Sequence, residues 1–314
     1  MIPSNLCLPF LLALGLGMAG IANAAGPLKV VATFSILGDM VKNVGGDHIA
    51  LTTLVGADGD AHVFQPSPAD AKAVADANLV IMNGLGFEGW MERLLESAQY
   101  QGKVAVASAG VKAQKMPDDF AEEEGHASSQ EQTHDGHGAT DPHAWQSLGN
   151  GKRYVGNIVN ALADADPTNA GDYQARGKTY LAALDQLDQT VKAAFDAIPK
   201  RNRKVITSHD AFGYFGAAYG VTFLAPVGIS TEAEPSAGEV AKLIKQIRKH
   251  DIRAVFVENI TDIRLVEQIT RETKTWIGGT LYSDALSGAD GPAPTYIDMF
   301  RHNVKLLTDA MGGR

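Results

Sequence analysis

Residues 170–197, AGDYQARGKTYLAALDQLDQTVKAAFDA, carry the longest helical pattern in this sequence. Their large apolar side chains recur at steps of 7, 4, 3, 4 and 4 residues, which places them on one face of an α-helix. They are Tyr173, Tyr180, Leu184, Leu187, Val191 and Phe195. At a rise of about 1.5 Å per residue, such a helix spans roughly 40 Å, the height of a small two-lobed protein. We therefore predict one long helix that joins two other parts of the chain.

Strands alternate with helices on both sides of this long helix. The predicted strands lie at 28–34, 49–55, 78–83, 103–108, 203–208, 221–226, 254–259 and 275–282. The helices predicted around them lie at 35–45, 67–77, 87–98, 148–163, 210–220, 235–251, 261–274 and 294–311. Such alternation is typical of a mostly parallel sheet, so we predict an α/β fold with two doubly wound lobes joined by one backbone helix. The predicted parts are an N-terminal lobe at 25–168, the linking helix at 169–198 and a C-terminal lobe at 199–314.

Composition and charge favour a globular protein and argue against nucleic acid as a partner. Of the 314 residues, 45% are hydrophobic and 20% are charged, which is enough apolar material for a core. The net charge is −9, whereas a protein that binds nucleic acid usually carries a net positive surface to neutralise phosphates.

The first 24 residues indicate a secretory signal peptide. They contain no charged side chain, and an apolar run over 6–21 precedes Ala-Asn-Ala, a typical cleavage sequence. A membrane-anchoring helix is the alternative, but the run is short and contains one proline and three glycines. The only cysteine, Cys7, lies early in the run, which disfavours a lipid-modified mature N-terminus. The mature chain would then bind any metal through His, Asp or Glu alone.

An acidic, histidine-rich tract over 112–140 interrupts the N-terminal lobe. Three of its histidines, His126, His134 and His137, lie among acidic, glycine and serine residues. Because the tract has little apolar surface to bury, we expect a weakly ordered loop whose imidazoles attract Zn²⁺ transiently. The alternative is an acidic solvated insertion in which these histidines have no metal role.

Four metal-competent side chains follow predicted strands. His62 follows the strand at 49–55 after a short loop, and His143 closes the loop after 103–108; His209 and Asp284 come just after two strands of the second half. In open α/β sheets ligands bind beyond the carboxyl ends of the strands, so we expect these four at one edge. Three imidazoles and one carboxylate suit Zn²⁺ in a tetrahedral site. If all four bind, no position is left for an activated water, which favours holding a metal over hydrolysis.

Each of these residues also has an ordinary alternative role. A single histidine after a strand is more often a surface or hydrogen-bonded residue, and Asp284 could cap the next turn. His48, His250 and His302 lie before a strand or in helices, and we expect no metal role for them.

Five stretches of the sequence resemble one known family. They are GADGDAHVFQPSPAD, DPHAW, SHDAFGYFGAAYG, EPSAGEVAKLIKQIRKHDIRAVFVENI and GTLYSDALSGADGPAPTYIDMFRHNV. The chain is similar to the zinc- and manganese-binding solute-binding proteins of ABC importers, and most similar to their AztC-type zinc-binding branch. The resemblance implies two lobes with the metal in the cleft between them. It also implies a ligand role for His62, His143, His209 and Asp284.

The resemblance also bears on the metal and on neighbouring residues. Manganese-binding relatives usually have a carboxylate where this chain has His209, which favours zinc. Some zinc-binding relatives place a carboxylate directly before the first histidine, but Ala61 stands there, so Asp60 is only a weak candidate beside the site. Glu258 ends a strand at the same edge, and we predict that it orients a ligand imidazole through the free ring N–H.

The leading hypothesis is a monomeric periplasmic receptor that binds Zn²⁺ and delivers it to the membrane permease of an ABC importer. A periplasmic zinc chaperone is a further candidate partner. Because imidazoles must be neutral to bind, affinity is expected to fall below about pH 6.5. A manganese or iron receptor of the same family is the first alternative. A zinc hydrolase is the second, although the sequence lacks H-E-x-x-H.

Overall fold

The computed structural model describes residues 26–115, 140–228, 230–232, 235–250 and 252–313. The predicted signal peptide and the histidines at 126, 134 and 137 lie outside these residues. Within the described part of the chain, no helix combines the length and apolar character needed to cross a membrane.

The N-terminal lobe contains a four-stranded parallel sheet in the order β2-β1-β3-β4. Its strands are β1 (Leu28–Phe34), β2 (Ile49–Val55), β3 (Leu79–Met82) and β4 (Lys103–Val106). The two central strands are the most buried because helices cover both of their faces.

The C-terminal lobe repeats this topology in the order β6-β5-β7-β8, again with parallel pairing. Its strands are β5 (Lys204–Ile206), β6 (Thr222–Leu224), β7 (Ala254–Glu258) and β8 (Trp276–Leu281). In each lobe the second strand is added on one side of the first strand, and the third and fourth strands are added on the other side. In such sheets a crevice lies between the first and third strands, at their carboxyl ends.

The helices are α1 (Ser35–Gly45), α2 (Pro68–Ala75), α3 (Met91–Ser97), α4 (Leu148–Ala165), α5 (Ala170–Asp196), α6 (Gly213–Tyr219), α7 (Ala237–His250), α8 (Ile263–Thr273) and α9 (Tyr296–Gly312). Helix α5 is the long one, and its predicted apolar face is buried. It packs on α1 and α4 of the first lobe and on α6 and α9 of the second. A hydrophobic core therefore extends through the first lobe into the second, where a further cluster lies between the sheet and helices α7 and α8, and the predicted fold class is confirmed.

Helix α3 is shorter than predicted, since it begins at Met91 instead of Phe87. Residues 88–91 form a turn instead, in which the Met91 N–H donates to the Glu88 carbonyl three residues back, and residues 84–86 before them have positive φ angles, which no α-helix accepts. The carboxylate of Glu88 turns back to accept hydrogen bonds from backbone N–H groups at the end of β3. These residues form a turn of their own.

Candidate metal centre

The four predicted side chains meet at the carboxyl ends of the two sheets. Each offers a donor atom, and these atoms lie within 4.8 Å of one another. The side chains of His143, His209 and Asp284 are fully buried, and that of His62 is 5% exposed. Two of the four come from each lobe.

The carboxylate of Asp284 faces all three Nε2 atoms. Its Oδ2 lies 3.1 Å from Nε2 of His62 and 3.2 Å from Nε2 of His209, and its Oδ1 lies 3.6 Å from Nε2 of His143. The Nε2 atoms of His62 and His143 are 3.3 Å apart. A tetrahedral ion with bonds of about 2.0–2.1 Å has donor atoms about 3.3 Å from one another. The observed separations therefore suit one small divalent ion at the centre.

The loop after β2 presents His62. Asp60 Oδ1 accepts a hydrogen bond from the backbone N–H of His62 at 2.9 Å, and its Oδ2 accepts from the Thr231 hydroxyl at 2.6 Å. The indole of Trp90 donates to the Ala61 carbonyl at 2.8 Å. Asp60 thus contacts the backbone of this loop and the opposite lobe through its two oxygens.

His143 is fixed by the residue two positions before it. Asp141 Oδ1 accepts from the backbone N–H of His143 at 2.9 Å and lies 2.8 Å from its ring Nδ1. A proton on Nδ1 leaves Nε2 as the nitrogen that can bind a metal. Asp141 was missed in the sequence analysis; the signal was the Asp-Pro-His spacing, because Asp often accepts from the backbone two residues on.

His209 has an equivalent carboxylate in the other lobe. Glu258, at the end of β7, accepts from the His209 backbone N–H through Oε1 at 2.8 Å, and its Oε2 lies 2.6 Å from Nδ1. Both residues are fully buried. The structure places Glu258 beside His209; its role in orienting that ring for a metal stays a prediction.

The segment after His143 also holds the loop that carries Asp284. The indole of Trp145 and the side-chain amide of Gln146 both donate to the Ser283 carbonyl, at 2.9 and 2.6 Å. Because Ser283 directly precedes Asp284, these two hydrogen bonds connect the His143 segment of the N-terminal lobe to the Asp284 loop of the C-terminal lobe.

The charges of these residues are strongly coupled. Burial by itself lowers the pKa of His143, but Asp284 and Asp141 outweigh burial and raise that pKa to about 9. Burial likewise opposes a charge on His209, whereas Glu258 and Asp284 raise its pKa well above the ordinary value. For Asp284 burial favours the neutral acid, yet the two histidines hold its pKa well below the usual range. The raised pKa values favour protonated imidazoles in the metal-free site, and a divalent cation that binds at Nε2 of these rings would replace their protons.

The remaining histidines of the described residues lie elsewhere. His48 pairs with Asp172, His250 lies 3.4 Å from the Lys204 ammonium, and His302 lies 2.9 Å from the Thr280 carbonyl.

Known proteins resemble this chain along nearly its whole length. Residues 30–310 match the family model described as ZnuA, zinc-uptake complex component A, periplasmic. The manganese-binding lipoprotein MntA of Halalkalibacterium halodurans is 31% identical over 284 residues, which cover 90% of this chain and 88% of that protein. The iron-binding protein YfeA of Yersinia pestis is 31% identical over 293 residues, covering 93% and 88%. Among solved structures, the periplasmic zinc binding protein TroA from Treponema pallidum has a TM-score of 0.81 at 27% identity, covering 91% of this chain and 99% of that one.

Proposed function

The chain belongs to the family of the periplasmic zinc-uptake complex component A, and from this premise we propose that it captures Zn²⁺ in the cleft between its lobes. It then delivers the ion to the membrane permease of an ABC importer. The family predicted from the sequence is confirmed, whereas the AztC-type branch stays a prediction.

One observation carries this proposal: three imidazole nitrogens and one carboxylate converge within 4.8 Å in a buried site shared by both lobes. His62, His143, His209 and Asp284 are the proposed ligands. When all four bind a tetrahedral ion, no position remains for a reactive water, so the site suits storage and transfer of an ion. A site built from two lobes also suits release, because separating the lobes separates the ligands.

The identity of the metal is argued from the donor atoms. Three nitrogens and one oxygen form a set that suits zinc, whereas manganese prefers more carboxylate oxygens. The similarity to MntA and YfeA, whose names state manganese and iron binding, keeps a manganese or iron receptor as the second proposal.

The cellular setting of the proposed receptor follows the family. We propose that residues 1–24 direct export, that the mature monomer works in the periplasm, and that a zinc chaperone is a second candidate partner beside the permease. His126, His134 and His137 are proposed to collect zinc for the cleft.

Substitution of the buried histidines tests the proposed site. We expect His143→Ala and His209→Ala to weaken zinc binding by at least about 100-fold, because each removes a direct bond to the ion. Competition with a chromogenic chelator measures this affinity. His302→Ala is the matched control, since it removes an imidazole outside the site, and it is expected to bind as the wild type does.

Wild-type affinity in both site variants would contradict the proposed ligands. Titration of the wild type with Mn²⁺, Fe²⁺ and Zn²⁺ tests the second proposal: most nitrogen and oxygen sites bind zinc more tightly than manganese or iron, so an affinity for Mn²⁺ or Fe²⁺ that equals or exceeds that for Zn²⁺ would favour a manganese or iron receptor.

A further inference from the structure

The turn between β3 and α3 contributes none of the four donor atoms, yet it lies against both histidines of the N-terminal lobe. We call residues 83–88, NGLGFE, the β3–α3 turn. The ring of Phe87 is 2% exposed. Its centroid lies 4.9 Å from that of His62 and 6.0 Å from that of His143, with both pairs close to perpendicular, at 79° and 71°. Phe87 therefore limits the rotation of both imidazoles.

Asn83 connects the same turn to the backbone of His143. Its side-chain amide donates to the Pro142 carbonyl at 3.0 Å, directly before His143. Its Oδ1 accepts from the Tyr154 hydroxyl at 2.6 Å. Asn83 is fully buried, so these bonds do not compete with water.

Glu88 closes the turn on itself. Its Oε1 accepts from the Asn83 N–H at 2.6 Å and from the Thr33 hydroxyl at 2.7 Å, and its Oε2 accepts from the Gly84 N–H at 3.1 Å. A buried carboxylate with several donors holds its surroundings in one arrangement.

The backbone of the turn is also unusual. Gly84, Leu85 and Gly86 have φ angles of 83°, 56° and 83°. For Leu85 this conformation is unfavourable and persists only because the surrounding contacts impose it. Such strained segments cluster at functional sites.

We propose that the β3–α3 turn is a positioning element that holds the imidazoles of His62 and His143 in their binding orientation before the ion arrives. The proposal rests on the proposed zinc site and extends it to residues that touch no ion. Its physical basis is preorganisation: rings that are already oriented lose less freedom when they bind, so the affinity is higher.

Two substitutions with matched controls test this role. Phe87→Leu removes the ring between the imidazoles, and Asn83→Ala removes the bond to the Pro142 carbonyl. Phe195→Leu makes the same change in a buried ring on α5, and Asn157→Ala removes an amide that donates to the carbonyls of Ala107 and Ala109. Each variant is assayed for zinc affinity by chelator competition, for the visible absorption of bound Co²⁺, and for the melting temperature of the metal-free protein.

We expect both turn variants to lose zinc affinity by about 10- to 100-fold, the usual effect of removing an outer partner of a metal ligand. Their Co²⁺ bands should shift, because the geometry of the two rings changes. The controls should lower the melting temperature but leave affinity and spectrum unchanged.

Wild-type affinity and an unchanged Co²⁺ spectrum in Phe87→Leu and Asn83→Ala would overturn the positioning role. If His143→Ala loses zinc in the same experiment, the proposed function still stands and only this inference fails. If His143→Ala and His209→Ala keep wild-type affinity as well, both fail.

Discussion

At the scale of single residues, each deeply buried imidazole has a carboxylate of its own. Asp141 lies at Nδ1 of His143, and Glu258 lies at Nδ1 of His209. Asp284 is shared at the Nε2 side. Asp141 and Glu258 each raise the pKa of one imidazole, and Asp284 raises the pKa of both; that Asp141 and Glu258 also orient the rings for a metal stays a prediction. Protons would therefore compete with a bound metal ion for the same nitrogen atoms.

This competition predicts that zinc binding releases protons at neutral pH. The pKa of His143 is about 9 in the folded metal-free protein, against 6.5 ordinarily, and that of His209 is also raised. We expect about two protons to leave when zinc binds near pH 7.5. Affinity should therefore fall already as the pH drops below about 9, earlier than the value near 6.5 expected for ordinary imidazoles.

Lowering the pH weakens zinc binding, but through the same His143 proton it stabilises the metal-free fold. Because the pKa of His143 is raised on folding, its proton stabilises the metal-free fold fully below pH 6.5, and this contribution is lost as the pH rises through about 9.

For the release of protons on zinc binding, calorimetry in buffers with different ionisation enthalpies gives the number of protons released. The control His302→Ala should release the same number of protons as the wild type. If the wild type takes up protons or releases none, the prediction of proton release on zinc binding is wrong.

At the scale of elements, the fold depends on close contact between α4 and α5. Gly177 of α5 faces α4 so closely that an added Cβ would lie 2.3 Å from a methyl group of Val159. Gly156 of α4, in contrast, has nothing within 4 Å of such a Cβ. Glycine is therefore needed for close packing of the two helices at position 177 but not at position 156.

This contrast predicts opposite effects for one substitution. Gly156→Ala should stabilise the protein by up to about 1 kcal/mol, because alanine favours a helix over glycine. Gly177→Ala should instead destabilise it by about 1–2 kcal/mol, because overpacking exceeds the gain in helix propensity. Urea denaturation of the metal-free protein measures both free energies of unfolding. An equal gain in stability for the two variants would show that α4 and α5 can move apart freely.

At the scale of the whole molecule, several contacts cross the cleft besides those of the four proposed ligands. The Asn259 amide donates to Asp58, the Thr231 hydroxyl donates to Asp60, and the Trp145 indole donates to the Ser283 carbonyl. An ion bound by both lobes would add four bonds to these contacts. Metal binding and the association of the lobes should therefore be coupled.

The coupling predicts a large gain in stability on metal loading. At a free zinc concentration of about 1,000 times the Kd, the free energy of unfolding should rise by about 4 kcal/mol. The double variant His209→Ala, Asp284→Ala keeps the two ligands of one lobe, and we expect it to lose nearly all of this gain. Thermal unfolding with zinc and with a chelator measures the difference. A double variant that keeps the full gain would mean that zinc binds within one lobe.

Local patterns in the sequence predicted most of the elements and named four candidate ligand residues that the structure brings together; their role as metal ligands stays a prediction. The period of Tyr173, Tyr180 and Leu184 predicted α5, and the position of His209 after a strand predicted its place at the sheet edge. The predicted start of α3 was wrong, because residues 88–91 form a turn and the Glu88 side chain folds back to the N–H groups of Asn83 and Gly84, which no local pattern indicates. Asp141 was overlooked: the Asp-Pro-His spacing indicates its bond to the His143 backbone, but its contact with ring Nδ1 depends on the side-chain geometry.

The sequence by itself therefore determined the alternation of strands and helices, the long linking helix and the kinds of donor atom, since each follows from neighbours within a few turns of chain. Only the tertiary structure decided which donors converge and how they are charged. His62 and Asp284 are 222 residues apart in sequence, yet Nε2 of His62 lies 3.1 Å from Oδ2 of Asp284. The raised pKa of His143 and the packing of the β3–α3 turn follow from such contacts. Distances of this kind are set by the packing of two whole lobes, and no local pattern contains them.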